Sequence, residues 1–263
     1  MLAVFWQFIA NFVVKKFIVM KPVLDLHTHT IMSGHAFSTL QEMVCAARDK
    51  GLEYLGISDH GPAVPGACDP IYFRNLYVVP REIDGVKLLM GAELNILDYS
   101  GTLDLDSEYC CRLDYVIAGL HRVCYKAGSK RQNTDAILGA MHNARVNIIS
   151  HPVDGTGDVF IEELVGRSAQ TGTLLEVNNS SLHPVRNKSV AVENNLHLLR
   201  LCRQKQLPVI LGSDAHISYS VADYSYLGSL LKETDFPDEL IVNYYPAIFE
   251  QFTGVRLDTA HNR

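Results

Sequence analysis

The chain has 263 residues, 48% hydrophobic and 20% charged, a globular balance that excludes a disordered or fibrous protein. That length suits one or two domains and lies close to the ~250 residues of a single α/β barrel. A net charge of −6 argues against a role in coating nucleic acid, and six cysteines without a CxxC pair fit a reduced, cytoplasmic chain better than a disulfide scaffold.

The first feature along the chain is an apolar run, Leu2 to Val14, followed by Lys15 and Lys16. It falls short of the ~20 residues that span a bilayer. A signal peptide would carry its positive charge ahead of the apolar run, not after it. Three readings fit: an extra helix packed on the domain, a weak membrane-surface anchor, or sequence upstream of a start at Met20. We favour the third. Residues 1–19 then form an apolar N-terminal extension, and residues 20–263 a single domain.

From Met20 onward, short runs rich in β-branched residues alternate with helix-period segments. The runs are Val23–Leu26, Tyr54–Ile57, Lys87–Met90, Tyr115–Ala118, Asn147–Ile149, Thr173–Val177 and Pro208–Leu211. Near-continuous apolar strands are the pattern of a parallel sheet covered on both faces. Each run leads to a polar residue, in turn His27, His60, Glu93, His121, His151, Glu176 and Asp214, at the spacing of about 30 residues expected of βαβ units. In the helix after the first run, Ser38 with Gln41 reads as a capping box. Leu40, Met43, Val44 and Ala47 make its apolar stripe, and Gly51 its stop. Gly61–Pro70 reads as a long irregular loop. Ile71, Tyr72 and Phe73 beyond it suit a lid or a subunit contact. Asp158 reads as the cap of a helix with Ile161, Leu164 and Val165 on its apolar face, and Val192, Leu196, Leu199 and Cys202 mark another. Seven such units on one chain predict a single barrel or a large open α/β sheet.

In an α/β barrel the working face is the C-terminal end of the strands. Here those ends carry His27, His29, His60, Glu93, His121, His151, Asp214 and His216, with His35 in the first loop. Imidazoles and carboxylates are the donors that zinc, manganese and iron accept. His27 and His29, two apart on a strand, face the same way and suit one ion. Glu93 has two oxygens and can bridge two. A single strand-end histidine usually has only a structural hydrogen bond. Nine such groups crowded on one face are hard to satisfy without metal. His142, His197 and His261 read as surface or packing residues, and His183 as a loop residue near the site. Glu176 reads as an acid at the core rim or behind a ligand, and Asp25 as an acid that orients an imidazole.

The motifs HTH at 27–29, His35, GISDHGP at 56–62, GAE at 91–93, GLH at 119–121, NIISHP at 147–152, EVNNSS at 176–181 and GSDAH at 212–216 resemble the polymerase and histidinol phosphatase (PHP) metallohydrolases. The resemblance covers about residues 21–252 and is closest to the small stand-alone bacterial YcdX-type phosphatases. It implies a distorted (β/α)7 barrel with three divalent ions, zinc first and manganese or iron as alternatives. By resemblance, His27, His29, Glu93 and Asp214 hold the first ion. His35, His60 and His216 hold the second. Glu93, His121 and His151 hold the third. The implied activity is phosphomonoester hydrolysis by a metal-bound hydroxide on a small phosphorylated metabolite, with no nucleic-acid partner and no stable membrane span. The proton donor to the leaving group is not readable. Arg81, Arg122 and Arg186 lie near strand-end loops and can clamp phosphate, Arg186 best because it follows the NNSS loop.

Rival readings remain. Within the family these are a histidinol phosphatase or a phosphodiesterase. Outside it, an amidohydrolase would need an eighth unit, and a non-enzymatic metal store or sensor would share the ligand set.

Overall fold

The computed structural model describes residues 21–186 and 189–257. The apolar run before Met20, and His261, lie outside the described residues.

The strands are β1 (Leu24–Asp25), β2 (Tyr54–Ile57), β3 (Glu82–Ile83), β4 (Val86–Asn95), β5 (Tyr115–Gly119), β6 (Ile148–Ile149), β7 (Leu174–Asn178) and β8 (Val209–Gly212). Seven of them pair in parallel in the order β1-β2-β4-β5-β6-β7-β8, and β3 pairs antiparallel with β4. The predicted runs fall on the seven parallel strands. The β3 hairpin, built on two residues, has no sequence pattern long enough to announce it.

The sheet closes on itself. Thr28, just past β1, bridges Ala215, just past β8, with the His29 N–H donating to the Ala215 carbonyl at 2.9 Å. Lower in the barrel the two strands do not pair, and Asn243 fills the gap. Its Nδ2 donates to the carbonyls of Leu24 (2.9 Å) and Leu211 (2.8 Å), and its Oδ1 accepts the Leu211 N–H at 2.7 Å. The result is a distorted (β/α)7 barrel.

Alternation along the strands sorts side chains into two cores. Leu24, Leu89, Tyr115, Ile117, Ile148, Leu174 and Ile210 fill the barrel interior, joined by Val242, Phe249 and Leu257 from the C-terminal segment. Leu88, Met90, Ala92, Val116, Ala118, Ile149, Leu175, Val177 and Leu211 face the surrounding helices. Period-two alternation therefore aims Glu93 on β4 and Glu176 on β7 inward, above the interior apolar layer. Tyr115 spans the interior and donates to the Leu26 carbonyl at 2.6 Å. Gly91 makes room for it, since a Cβ there would lie 2.6 Å from the Tyr115 ring.

The outer layer includes α1 (Leu40–Lys50), α2 (Ile71–Asn75), α3 (Ser107–Cys110), α4 (Lys130–Ala140), α5 (Ile161–Thr171), α6 (Ala191–Lys205), α7 (Leu227–Glu233) and α8 (Pro246–Thr253). The capping box of α1 is Thr39 with Glu42, one residue later than Ser38 with Gln41. Ser38 is buried and its hydroxyl instead accepts the Ser218 N–H. Thr39→Ala is expected to cost about 1 kcal/mol, read as a small drop in urea midpoint. A second box, Ser129 with Gln132, starts α4. Asp158 does not cap α5, whose N-cap is Phe160 without a side-chain bond. In α6, Val192 is exposed, while Asn195, Leu198, Leu199 and Cys202 make the buried face. Residues 61–70 form an irregular loop, as read. Phe73 beyond it is core, Tyr72 donates to Asp59 at 2.7 Å, and only Ile71 of that trio is exposed.

Candidate metal centre

Each donor is placed by its strand. His27 and His29 leave β1 two residues apart and point the same way. His60 follows β2 and pairs with Glu93 in a parallel bridge that prolongs the sheet. His121, His151, Asp214 and His216 follow β5, β6 and β8. His35 follows a 3₁₀ turn, Ile31–Ser33, capped by Thr30. His151 and Asp214 have φ of 31° and 54°, a left-handed backbone that is costly for residues with a Cβ and that clusters at working sites.

These nine residues converge, and Glu93 is their centre. Its fully buried carboxylate lies 3.2 Å from His27 Nε2, 3.5 Å from His29 Nε2 and 3.1 Å from His60 Nδ1 on one oxygen. On the other oxygen it lies 3.2 Å from both His121 Nε2 and His151 Nε2. Asp214 lies 3.4 Å from His29 Nε2 and 3.7 Å from His27 Nε2. His35 and His216 approach through their Nε2 atoms at 3.0 Å.

Among the described residues, three triplets hold donor atoms mutually within 4.8 Å: His27–His29–Asp214, His29–His60–His216 and His60–Glu93–His121. The first lies within the first ion set implied by resemblance. The other two overlap the implied sets, with His29 where His35 was expected and His60 where His151 was expected.

The residues fit cations. His27 Nε2, His29 Nε2, His60 Nδ1 and Glu93 Oε2 are buried, face one another, and have no hydrogen-bond partner among the described residues. Orphaned polar atoms of this kind are expensive unless something else binds them. Charge states agree. Burial pushes the Glu93 carboxyl up, but the imidazoles of His27, His121 and His60 outweigh it and hold it well below the ordinary carboxylate range. Asp214 follows the same balance, dominated on the lowering side by His27. Burial pushes His29, His35 and His121 down, toward the neutral form that offers a lone pair. Burial also opposes charge on His27, but Glu176, Glu93 and Asp214 overcome it. That spot favours positive charge, whether a proton or a metal.

A further layer of oxygens fixes the rings. The Nδ1 of His29 meets Ser33 Oγ at 3.0 Å, and the Ser33 hydroxyl itself donates to Asp59 at 2.7 Å, so Ser33 accepts from the imidazole. The Nδ1 of His35 faces the Ser33 carbonyl, that of His121 faces Asn95 Oδ1, and that of His216 faces the Asp214 carbonyl. Each bond places the proton on Nδ1 and turns Nε2 inward. Sequence reading missed Ser33, Asp59 and Asn95. Asn95 was within reach, because it lies two residues beyond Glu93 on the same face.

Among the described residues, Asp25 makes no hydrogen bond to an imidazole ring. It accepts from the Ser213 hydroxyl at 2.5 Å, the Ala222 N–H at 2.9 Å and the His27 N–H at 3.4 Å. Glu176 orients His27 instead, at 2.6 Å.

An open cleft of about 270 Å³ lies over the cluster, lined also by Arg122, Asp154, Thr156, Ser180 and Arg186. Arg186 donates to Ser180 Oγ at 2.9 Å, and Arg122 to the Gly155 carbonyl at 3.3 Å. Arg81 pairs with Asp114, outside the cleft. His183 packs edge-on against Tyr226, His197 pairs with Glu162, and His142 is exposed.

A (β/α)7 barrel with nine imidazoles and carboxylates converging at its strand ends and first loop defines the class: a barrel whose open face gathers donors of the kind that divalent metals accept. The PHP domain pattern matches residues 25–181, and the chain belongs to that family. It is 42% identical over 220 residues to a protein of Caldicellulosiruptor saccharolyticus named "Probable phosphatase", covering 84% of this chain and 91% of that one. A protein of the same name in Acetivibrio thermocellus is 39% identical over 233 residues, covering 89% and 95%. The fold is shared with the histidinol phosphate phosphatase of Lactococcus lactis, solved with zinc, L-histidinol and phosphate. That match has a TM-score of 0.57 and 19% identity over 82% of this chain and 95% of that one. A chain of an archaeal ribonuclease P structure with mature tRNA matches at TM-score 0.59 and 12% identity, covering 91% and 95%.

Proposed function

We propose that this chain is a metal-dependent phosphatase that hydrolyses a small phosphomonoester at a trinuclear centre. The observation that carries the reading is the cluster around Glu93, with buried donor atoms that nothing else among the described residues satisfies. The relatives named probable phosphatase support the reaction class, and the zinc, L-histidinol and phosphate in the Lactococcus lactis structure support metal and phosphate together. In this reading the first ion takes His27, His29, Glu93 and Asp214, the second His35, His60 and His216, and the third Glu93, His121 and His151. Zinc is the first choice, with manganese or iron as alternatives.

Bound divalent ions would supply Lewis-acid charge and an acidified water. The protein's own part is geometric and electrostatic. Glu93 and Asp214 hold negative charge among the imidazoles, and the Nδ1 partners lock the rings of His27, His29, His35, His121 and His216. The cleft admits a ligand of metabolite size, with Arg186 and Arg122 on its wall to meet phosphate oxygens. The six cysteines are free thiols, which supports work in a reducing cytoplasm. Among the described residues no helix is long and apolar enough to cross a membrane.

The test is phosphate release from p-nitrophenyl phosphate with added zinc or manganese, abolished by chelation. No release with any metal, from protein that binds the ions, would leave a metal store or sensor. Arg186→Ala is expected to raise KM for the phosphoester about 10-fold or more, the cost of losing a charged hydrogen bond, while zinc content stays unchanged. An unaltered KM would remove Arg186 from the phosphate site.

A further inference from the structure

Glu176 stands apart from the proposed ion ligands. It lies on β7, 1% exposed, facing the barrel interior. Its Oε1 accepts from His27 Nδ1 at 2.6 Å. Its Oε2 accepts from the backbone N–H of His151 at 2.8 Å and from Asn178 Nδ2 at 3.0 Å. Three donors from three strand ends thus share one carboxylate. One is the ring of His27, in the triplet with His29 and Asp214. Another is the backbone of His151, held at a φ of 31°.

The neighbouring strand is shaped around this carboxylate. A Cβ on Gly212, in β8, would lie 1.7 Å from Glu176 Oε1 and 2.5 Å from its Cδ. Three other rings differ in kind: the Nδ1 partners of His29, His35 and His121 are a hydroxyl, a backbone carbonyl and a side-chain amide oxygen, all neutral, while the Nδ1 atoms of His216 and His151 lie farther from a carboxylate oxygen, at 3.3 and 3.6 Å. His27 meets a carboxylate at the shortest of these distances. An ionised acceptor strengthens the bond and the electron-donating power of the opposite nitrogen.

We infer that Glu176 is a positioning residue that sets the metal affinity of the His27–His29–Asp214 position and couples it to His151. The inference rests on the metal-dependent reading above. Glutamine cannot replace it, because an amide has one acceptor oxygen for three donors, and its NH₂ would face a buried N–H.

The test is a zinc titration of chelated protein against a competing chromophoric chelator, with bound zinc counted per chain by mass spectrometry. Glu176→Gln is expected to weaken one zinc by about 10- to 100-fold. The chelated variant should keep its wild-type circular dichroism spectrum. Imidazole ¹⁵N NMR should show His27 losing its wild-type tautomer signature, a change that a merely structural role would not produce. Gly212→Ala, which displaces the carboxylate without removing its charge, should weaken the same zinc. The double variant should be no weaker than Glu176→Gln alone. Wild-type zinc affinity in Glu176→Gln overturns the inference, as does a Gly212→Ala effect that persists in full when residue 176 is Gln. If Glu176→Gln does not fold, Gly212→Ala decides, and unchanged affinity there overturns the inference. Wild-type protein that takes up no zinc, manganese or iron overturns the metal-dependent reading itself.

Discussion

Glu93→Gln is expected to lose bound metal and phosphoester turnover together, with kcat/KM falling about 10³-fold or more, the scale of removing a central electrostatic element. Five imidazole nitrogens lie between 3.1 and 3.5 Å from its two oxygens. An amide would keep the shape but lose the charge and one acceptor oxygen, and its NH₂ has no lone pair to offer a cation. Metal analysis of the purified variant, alongside p-nitrophenyl phosphate turnover, checks this. A Glu93→Gln protein with full metal content and full turnover would sink the assignment of this centre.

Asn243→Ala is expected to destabilise the barrel without touching a proposed ion ligand. The change strands the carbonyl and N–H of Leu211 and leaves the Leu24 carbonyl only the Tyr224 hydroxyl, at 3.3 Å, in the buried seam between β1 and β8. At about 1–3 kcal/mol for each buried group left unmet, the loss is roughly 3–5 kcal/mol after partial relaxation. For a domain of this size that lowers Tm by roughly 10 °C. Differential scanning calorimetry measures it, and a fall of less than about 2 °C would show that the seam does not depend on Asn243.

The sequence made most of this architecture readable, for identifiable reasons. Parallel strands buried on both faces leave long apolar runs, and an end-of-strand histidine or acid is conspicuous after one. Tyr54–Ile57 was therefore located to the residue, and the other runs agreed to within a few positions except the long β4. The donors were legible because their types are rare in strands. What could not be read is what depends on pairing across the chain. Asn243 looks like any polar residue until β1 and β8 meet around it. Glu176 was visible as an acid at a strand end, but its bond to His27 spans 149 positions. Asp25 and Glu176 were both legible as acids near the ligands, and only the folded barrel shows that it is Glu176 that meets the His27 ring. Capping was off by one at α1 because Ser38 and Thr39 are both good caps, and Ser38 is taken up by Ser218.

The seam between β1 and β8 has a consequence for the order of events during synthesis. His27 and His29 emerge among the first described residues, whereas Asp214 and His216 come after every parallel strand has been made. Between them, below the Thr28–Ala215 bridge, the wall relies on Asn243 from near the chain's end. The donor set at the His27–His29–Asp214 position therefore does not exist on a partly made chain. Contacts of such long sequence separation form late in folding. In the metal-dependent reading, a growing chain cannot offer a cation this full donor set, and one taken up afterwards would tie β1 to β8. Its binding free energy then adds to the stability of the closed barrel.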